Sequence, residues 1–187
     1  MSDIRGLIIQ SRLDYIENQE NGTKYQHVYQ KLSEPVRQAI GEQVFLTNLY
    51  SFHLLKELDS VLGEATKMPL ESLFIEIGEQ SAPLMLDRYF YNYMQNKNPH
   101  GFLAQIARLY PHICNFGKYS YSKTGETKAD ITFDYDEDIH KPHCWFIQTI
   151  LVKGVELCGG KSVLLKENQC EAEDGESCQY HLSWKVK

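Results

Sequence analysis

Cys144, Glu167, Cys170 and Cys178 are the residues of this 187-residue chain whose types and spacing could do chemistry. They follow the pattern C-x22-E-x2-C-x7-C. Three thiolates and one carboxylate make a four-coordinate shell suited to zinc, and a shell with no open position is structural rather than catalytic. The opposing reading is equally concrete: a free cysteine packs as a small hydrophobe and is among the most buried residue types. His140 and His143, close to Cys144, could take the place of Glu167 as a ligand. Cys114 and Cys158 fall on apolar helix faces and read as core.

For the four to meet, the C-terminal part of the chain must bring distant segments to one end. Pro142 introduces a helix from about His143 to Cys158, closed by Gly159-Gly160. Cys144 then sits in its first turn, where unpaired N–H groups and the helix dipole favour a thiolate. Val163, Leu165 and Glu167 share one face of a strand. Cys178, Tyr180, Leu182, Trp184 and Val186 share one face of a last strand. A hairpin of these two places Cys170 and Cys178 at its tip, and the helix packed across the sheet brings Cys144 to the same end. Two earlier strands, Lys118 to Lys123 and Ala129 to Tyr135, join across Thr124-Gly125-Glu126; the second alternates cleanly between apolar and polar residues.

The first two-thirds of the chain reads as helices. Ile9, Leu13 and Ile16 recur at helical spacing, as do Tyr25, Val28, Tyr29 and Leu32. Glu34-Pro35 starts a short segment that Gly41 ends. Leu54, Leu55, Leu58, Val61 and Leu62 form a stronger stripe, stopped at Gly63. Met68-Pro69 opens another helix, which Ala82-Pro83 interrupts. Leu86, Tyr89, Phe90 and Tyr93 follow, and after Asn98-Pro99 come Phe102, Leu103, Ile106, Leu109 and Tyr110. The expected fold is α+β: a helical N-terminal two-thirds packed with a small antiparallel sheet of about four strands and a helix crossing it, in one domain over residues 1–187.

Composition excludes several function classes. A net charge of −6, with scattered lysines, argues against a nucleic-acid partner and against anionic membrane surfaces. No window approaches the ~20 apolar residues of a membrane span, and the start MSDIRGLIIQSRLDY has no signal-peptide run, so the expected location is cytoplasmic. Thiols stay reduced there, so the five cysteines read as free or metal-bound. Asn21-Gly22-Thr23 is then a loop feeding a helix rather than a glycosylation site. Gly-rich phosphate loops, G-x-S-x-G, H-E-x-x-H and the Rossmann fingerprint are absent, so an enzyme is not expected.

The segment VELCGGKSVLLKENQCEAEDGESCQYHLSW, ending at Trp184, resembles the end of the 4-vinyl-reductase-like domain. That domain belongs to the ligand-binding fold shared by nitric-oxide-sensing haem domains and Golgi transport subunits. The resemblance implies a metal site: in the sensory domains of phenol-responsive transcription activators, zinc is held by Cys, Glu, Cys and Cys at the spacing of Cys144, Glu167, Cys170 and Cys178. With GLIIQSRLDYIENQ and NPHGFLAQIARLYPHICNFG, the whole chain resembles a family of short bacterial proteins related to these domains. Haem is not expected, because Tyr119-Ser120-Tyr121-Ser122-Lys123 departs from the Tyr-x-Ser-x-Arg motif of the nitric-oxide sensors at the Ser and Arg positions. The resemblance implies a non-enzymatic domain that binds an apolar small molecule or signals, and that works as a homodimer with a structural zinc site. Tyr89, Phe90, Tyr93, Phe102 and Tyr110 could line its pocket. The alternative is an interaction module with a filled core, like the Golgi transport subunits.

Overall fold

The computed structural model describes residues 2–18, 23–41 and 43–186. The expected Asn21-Gly22 loop and the side chains of Tyr25 and Tyr89 lie outside the described residues. The N-terminal layer comprises β1 (Asp3–Arg5), α1 (Gly6–Glu17), α2 (Thr23–Lys31), α3 (Glu34–Ile40), β2 (Leu49–Ser51), α4 (Phe52–Thr66), α5 (Leu70–Gln95) and α6 (Pro99–Ile113). Then come β3 (Lys118–Gly125), β4 (Lys128–Asp134), α7 (Lys141–Leu157), β5 (Lys161–Gln169), a single 3-10 turn (Glu171–Glu173) and β6 (Cys178–Lys185). The fold is α+β, as the sequence leads one to expect.

The sheet has the order β3-β4-β6-β5 and is antiparallel throughout. Its register pairs Ala129 with Leu182, Ile131 with Tyr180 and Phe133 with Cys178, so the buried residues of β4 and β6 share one face. That face packs under α7, with α6 against β3. Period-two burial makes one continuous core with the helical stripes, because slipping the register by one residue would turn Phe133 and Tyr180 to solvent.

Two helices outrun their expected ends. Pro83 does not interrupt α5, which continues from Leu70 to Gln95. Proline removes one backbone donor, but Leu73, Phe74, Ile77, Ala82, Met85, Leu86 and Phe90 are buried along the same helix, and burial on that scale outweighs a cost of ~3 kcal/mol. Gly63 does not stop α4, which reaches Thr66 and ends at Lys67 in the left-handed conformation (φ 56°). Gly63 is a packing residue instead: a Cβ there would overlap the side chain of Leu70. The two-stranded β1–β2 ribbon goes unforeseen, because three residues per strand are too few to show alternation.

A buried charge network ties the layers together. Arg12 of α1 and Asp59 of α4 are both fully buried, with Nε to Oδ1 at 3.1 Å. His140, just ahead of α7, bonds the other Asp59 oxygen at 2.9 Å. The Arg12 guanidinium lies 3.9 Å from the ring centre of Phe146. Burial alone would push the Asp59 carboxyl up, but the charge of Arg12 and the bond to His140 hold it below the ordinary value of 3.8.

Candidate functional site

Three of the four expected ligand residues converge. Cys144 is the fourth residue of α7, Cys178 opens β6, and Cys170 follows β5 directly. Their sulfurs lie 3.7 Å (Cys144–Cys170), 3.9 Å (Cys144–Cys178) and 4.0 Å (Cys170–Cys178) apart, and all three residues are buried. A tetrahedral centre with metal–sulfur bonds of ~2.3 Å separates its sulfurs by about 3.8 Å. The triangle therefore has the dimensions of three corners of such a centre. No cysteine is in a disulfide.

Glu167 stands beside the cluster rather than in it. Lys141 Nζ donates to its Oε2 at 2.8 Å, and Gln148 Nε2 donates to its Oε1 at 3.0 Å. Lys141 also reaches Glu173 at 2.7 Å. Burial works against the Lys141 charge, but its bonds to Glu167 and Glu173 raise its pKa and keep the ammonium in place. Glu167 groups with Cys170 and Glu173, while the three sulfurs form a group of their own. His140 is taken by Asp59, and His143 turns to the interior. Lys141 and Gln148 escaped sequence reasoning, although Lys141, Cys144 and Gln148 share one helix face by their spacing of three and four.

The thiolate does not settle on Cys144. Cys178 is the acidic member, brought down to about 6 by the hydrogen bond from the Cys144 thiol and, against burial, by the Glu171 N–H at 3.3 Å. Cys144 is pushed up by that same bond to Cys178 and by burial. Burial and the neighbouring Cys178 charge raise Cys170 to about 11. The helix-start argument fails because a sulfur responds to the groups aimed at it. The Cys144 sulfur faces the His140 carbonyl at 3.7 Å.

Next to the cluster lies an apolar cavity of about 80 Å³ between α1, α5, α6, α7 and the sheet. Met85, Leu86, Phe90, Ile106, Ile150 and His143 are among its walls. Phe133, the register partner of Cys178, lines it too. Cavity and cluster are thus joined through β4 and through the adjacent residues His143 and Cys144. His143 Nδ1 is buried without a hydrogen-bond partner. Burial, followed by the charges of His140 and Arg12, lowers the His143 pKa well below 6.5, so the ring is neutral. The Tyr110 hydroxyl also faces this region, with the Cys114 thiol as its neighbour. Of the aromatic residues expected to line a pocket, Phe90 and Tyr110 do; Phe102 is buried in the core, and Tyr93 bonds Gln105. No helix among the described residues is long and apolar enough to cross a membrane.

Solved structures share this fold. An H-NOX protein from K. algicida, Fe(II) and unliganded, is 15% identical with a TM-score of 0.73, covering 98% of each chain. An H-NOX protein from S. oneidensis in the Fe(II)NO state is 10% identical with a TM-score of 0.76, covering 97% of this chain and 99% of that one. A third, from work on haem distortion in the H-NOX family, is 9% identical with a TM-score of 0.71, covering 97% and 95%. At these identities the likeness is one of fold. No curated protein matches the chain.

These structures correct the cofactor expectation of zinc without haem. The proteins that share the fold are described with haem and with iron ligation states, which overturns the expectation of zinc without haem. A five-residue pattern at Tyr119–Lys123 could not exclude haem, since that strand says nothing about donors between the layers. Nor do three thiols decide for zinc, because thiolates suit several soft ions. Residue types that ligate haem iron do face the interior here, in His143, Tyr110 and Cys114. The 80 Å³ between the layers, however, is far below the roughly 300–1,000 Å³ of ordinary ligand sites, and a macrocycle does not fit it as packed. The matching family model spans residues 66–185 and so covers α5 to β6 together with the thiol cluster and all of the cavity lining except Leu7 and Ile8; the chain belongs to that family, described as "Protein of unknown function (DUF2378)".

Proposed function

We propose that this chain, as one domain over residues 1–187, is a non-enzymatic small-molecule-binding sensor whose ligand occupies the cavity beside the thiol cluster. One observation carries the reading: His143 and Tyr110 line the largely apolar cavity, and His143 Nδ1 and the Tyr110 hydroxyl are each buried without a hydrogen-bond partner. Leaving such a group unsatisfied costs about 1–3 kcal/mol, and a ligand with one hydrogen-bonding group removes that cost. The ligand class is a compact, apolar molecule with a single hydroxyl or comparable group. The likeness to H-NOX proteins supports a sensor on this fold.

In this proposal a soft divalent ion sits among Cys144, Cys170 and Cys178, with Glu167 as fourth ligand once it leaves Lys141. The sulfur spacing and the resemblance to the 4-vinyl-reductase-like end support it. The ion ties α7 to the β5–β6 hairpin at the end of the cavity. Homodimerisation in the cytoplasm completes the reading. It is supported by Leu84 and Tyr91, two turns apart on one face of α5 and 77% and 54% exposed, whereas Met94 packs against its own core. Haem is a second reading, favoured by the fold and by the three donors around the cavity; it requires α5 and α6 to move apart.

Native mass spectrometry of the purified protein reports bound molecule, metal and oligomeric state together. The expected result is a dimer of 21.7 kDa chains carrying metal and a small molecule. Phenol, as probe, binds, and His143→Leu weakens it by about tenfold, the equivalent of one hydrogen bond. A Soret band on adding haemin supports the second reading. A protein that carries nothing and binds neither phenol nor haemin is instead the interaction module with a filled core.

A further inference from the structure

Leu7 stands at the meeting point of three hollows. The interior cavity is one. The second is a groove of about 370 Å³ between α1 and α5, with Gln10, Asp14, Leu84 and Met85 on its walls. The third, of about 210 Å³, lies on the other side of Leu46 and is lined by Arg5, Leu109, His112 and Ile113. Leu7 and Met85 separate the interior from the larger groove, and Leu7 and Ile113 separate it from the smaller one.

The backbone at Leu7 is clamped. Gly6 N–H donates to the Asn48 carbonyl at 2.9 Å, and Leu7 N–H donates to the Leu46 carbonyl at 3.1 Å. The Phe45 N–H is in turn held by the Tyr50 hydroxyl at 2.9 Å. Gly6 lies so close to the Phe45 carbonyl that a Cβ there would overlap it. The segment from Val44 to Asn48 is therefore fixed on the start of α1, and what can move is the Leu7 side chain. Leu7 is only half-buried, and Met85 opposite it has three rotatable bonds. Rotamer changes in such side chains take picoseconds to nanoseconds when exposed and longer when partly packed.

We propose that small molecules reach the interior from the α1–α5 groove by rotation of Leu7, with Met85 as the second leaf of the gate. The proposal rests on the reading of the interior as the ligand site. It adds a selection step, because the groove mouth carries the carboxylates Asp14 and Glu17 and, among the described residues, no lysine or arginine. Anions are repelled there, and uncharged or cationic molecules pass.

Xenon is a suitable probe, since it enters apolar cavities without needing a hydrogen bond. Methyl NMR of Leu86, Ile106 and Ile150 reports its equilibrium binding, and exchange spectroscopy reports its rates. Leu7→Ala should raise the entry rate by about tenfold; because Leu7 also lines the interior cavity, its truncation shifts the dissociation constant as well, so the entry rate is the quantity that tests the gate. Leu7→Trp should slow entry, and Met85→Ala should act like Leu7→Ala. Bound xenon with unchanged rates in Leu7→Ala and Met85→Ala overturns the gate and leaves the ligand site standing. A changed dissociation constant at an unchanged entry rate leaves Leu7 a wall of the site and nothing more, and likewise overturns the gate. Xenon that leaves the three methyl groups unshifted in the unaltered protein overturns both the gate and the interior site.

Discussion

The pair Arg12 and Asp59 offers a sharp test of how the helical layer is held. Asp59→Asn keeps the volume and leaves the Arg12 guanidinium fully buried beside a neutral amide. Arginine cannot shed its proton to escape, so the cost is that of a broken buried ion pair, about 3–5 kcal/mol. Arg12→Met is milder, because the Asp59 carboxylate keeps its 2.9 Å bond to His140 and can take up a proton. Its loss should be about 2–3 kcal/mol, including the stacking of the guanidinium on Phe146. The double variant should lose less than the sum, since each single change strands the other partner. For a domain of this size about 2–4 °C of melting temperature corresponds to 1 kcal/mol, so Asp59→Asn should melt roughly 6–20 °C lower. Urea unfolding at pH 7, followed by circular dichroism, measures all three. A loss below ~1 kcal/mol in Asp59→Asn, or strict additivity in the double variant, would refute this account of the network.

Acid provides a second test of the same group. The folded pKa of Asp59 is lowered, so its contribution is complete above the ordinary carboxylate range and disappears as pH falls through the folded value. Unfolding free energy should therefore drop below about pH 4, and Asp59→Asn should remove one proton from the slope there. Gly154→Ala places a methyl group into the ring of Phe102, so it should destabilise by about 1–3 kcal/mol, relieved in part by Phe102→Leu. Cobalt(II) added to the reduced protein should give thiolate-to-metal absorption at one ion per chain. Cys178→Ser should abolish that absorption and lower the melting temperature; a spectrum unaffected by Cys178→Ser removes the metal from the thiol cluster.

The sequence by itself determined the α+β class and the alternation of β4 and β6. It also showed that Cys144, Cys170 and Cys178 could meet, because period-two and helical patterns decide which side chains share a face. It did not reveal that Glu167 is held by Lys141 and Gln148, because a chain pattern marks residue types and not competing partners. Pro83 and Gly63 read as breaks from local propensity, yet the burial of Phe74, Ile77 and Leu86 carries α5 through, and the contact with Leu70 explains Gly63. The Cys144–Cys178 bond joins residues 34 apart, the Arg12–Asp59 and Asp59–His140 bonds join residues 47 and 81 apart, and the orphan nitrogen of His143 is left by the packing around it. Such encounters were decided only by tertiary structure, since burial and charge act through space and leave no periodic trace along the chain.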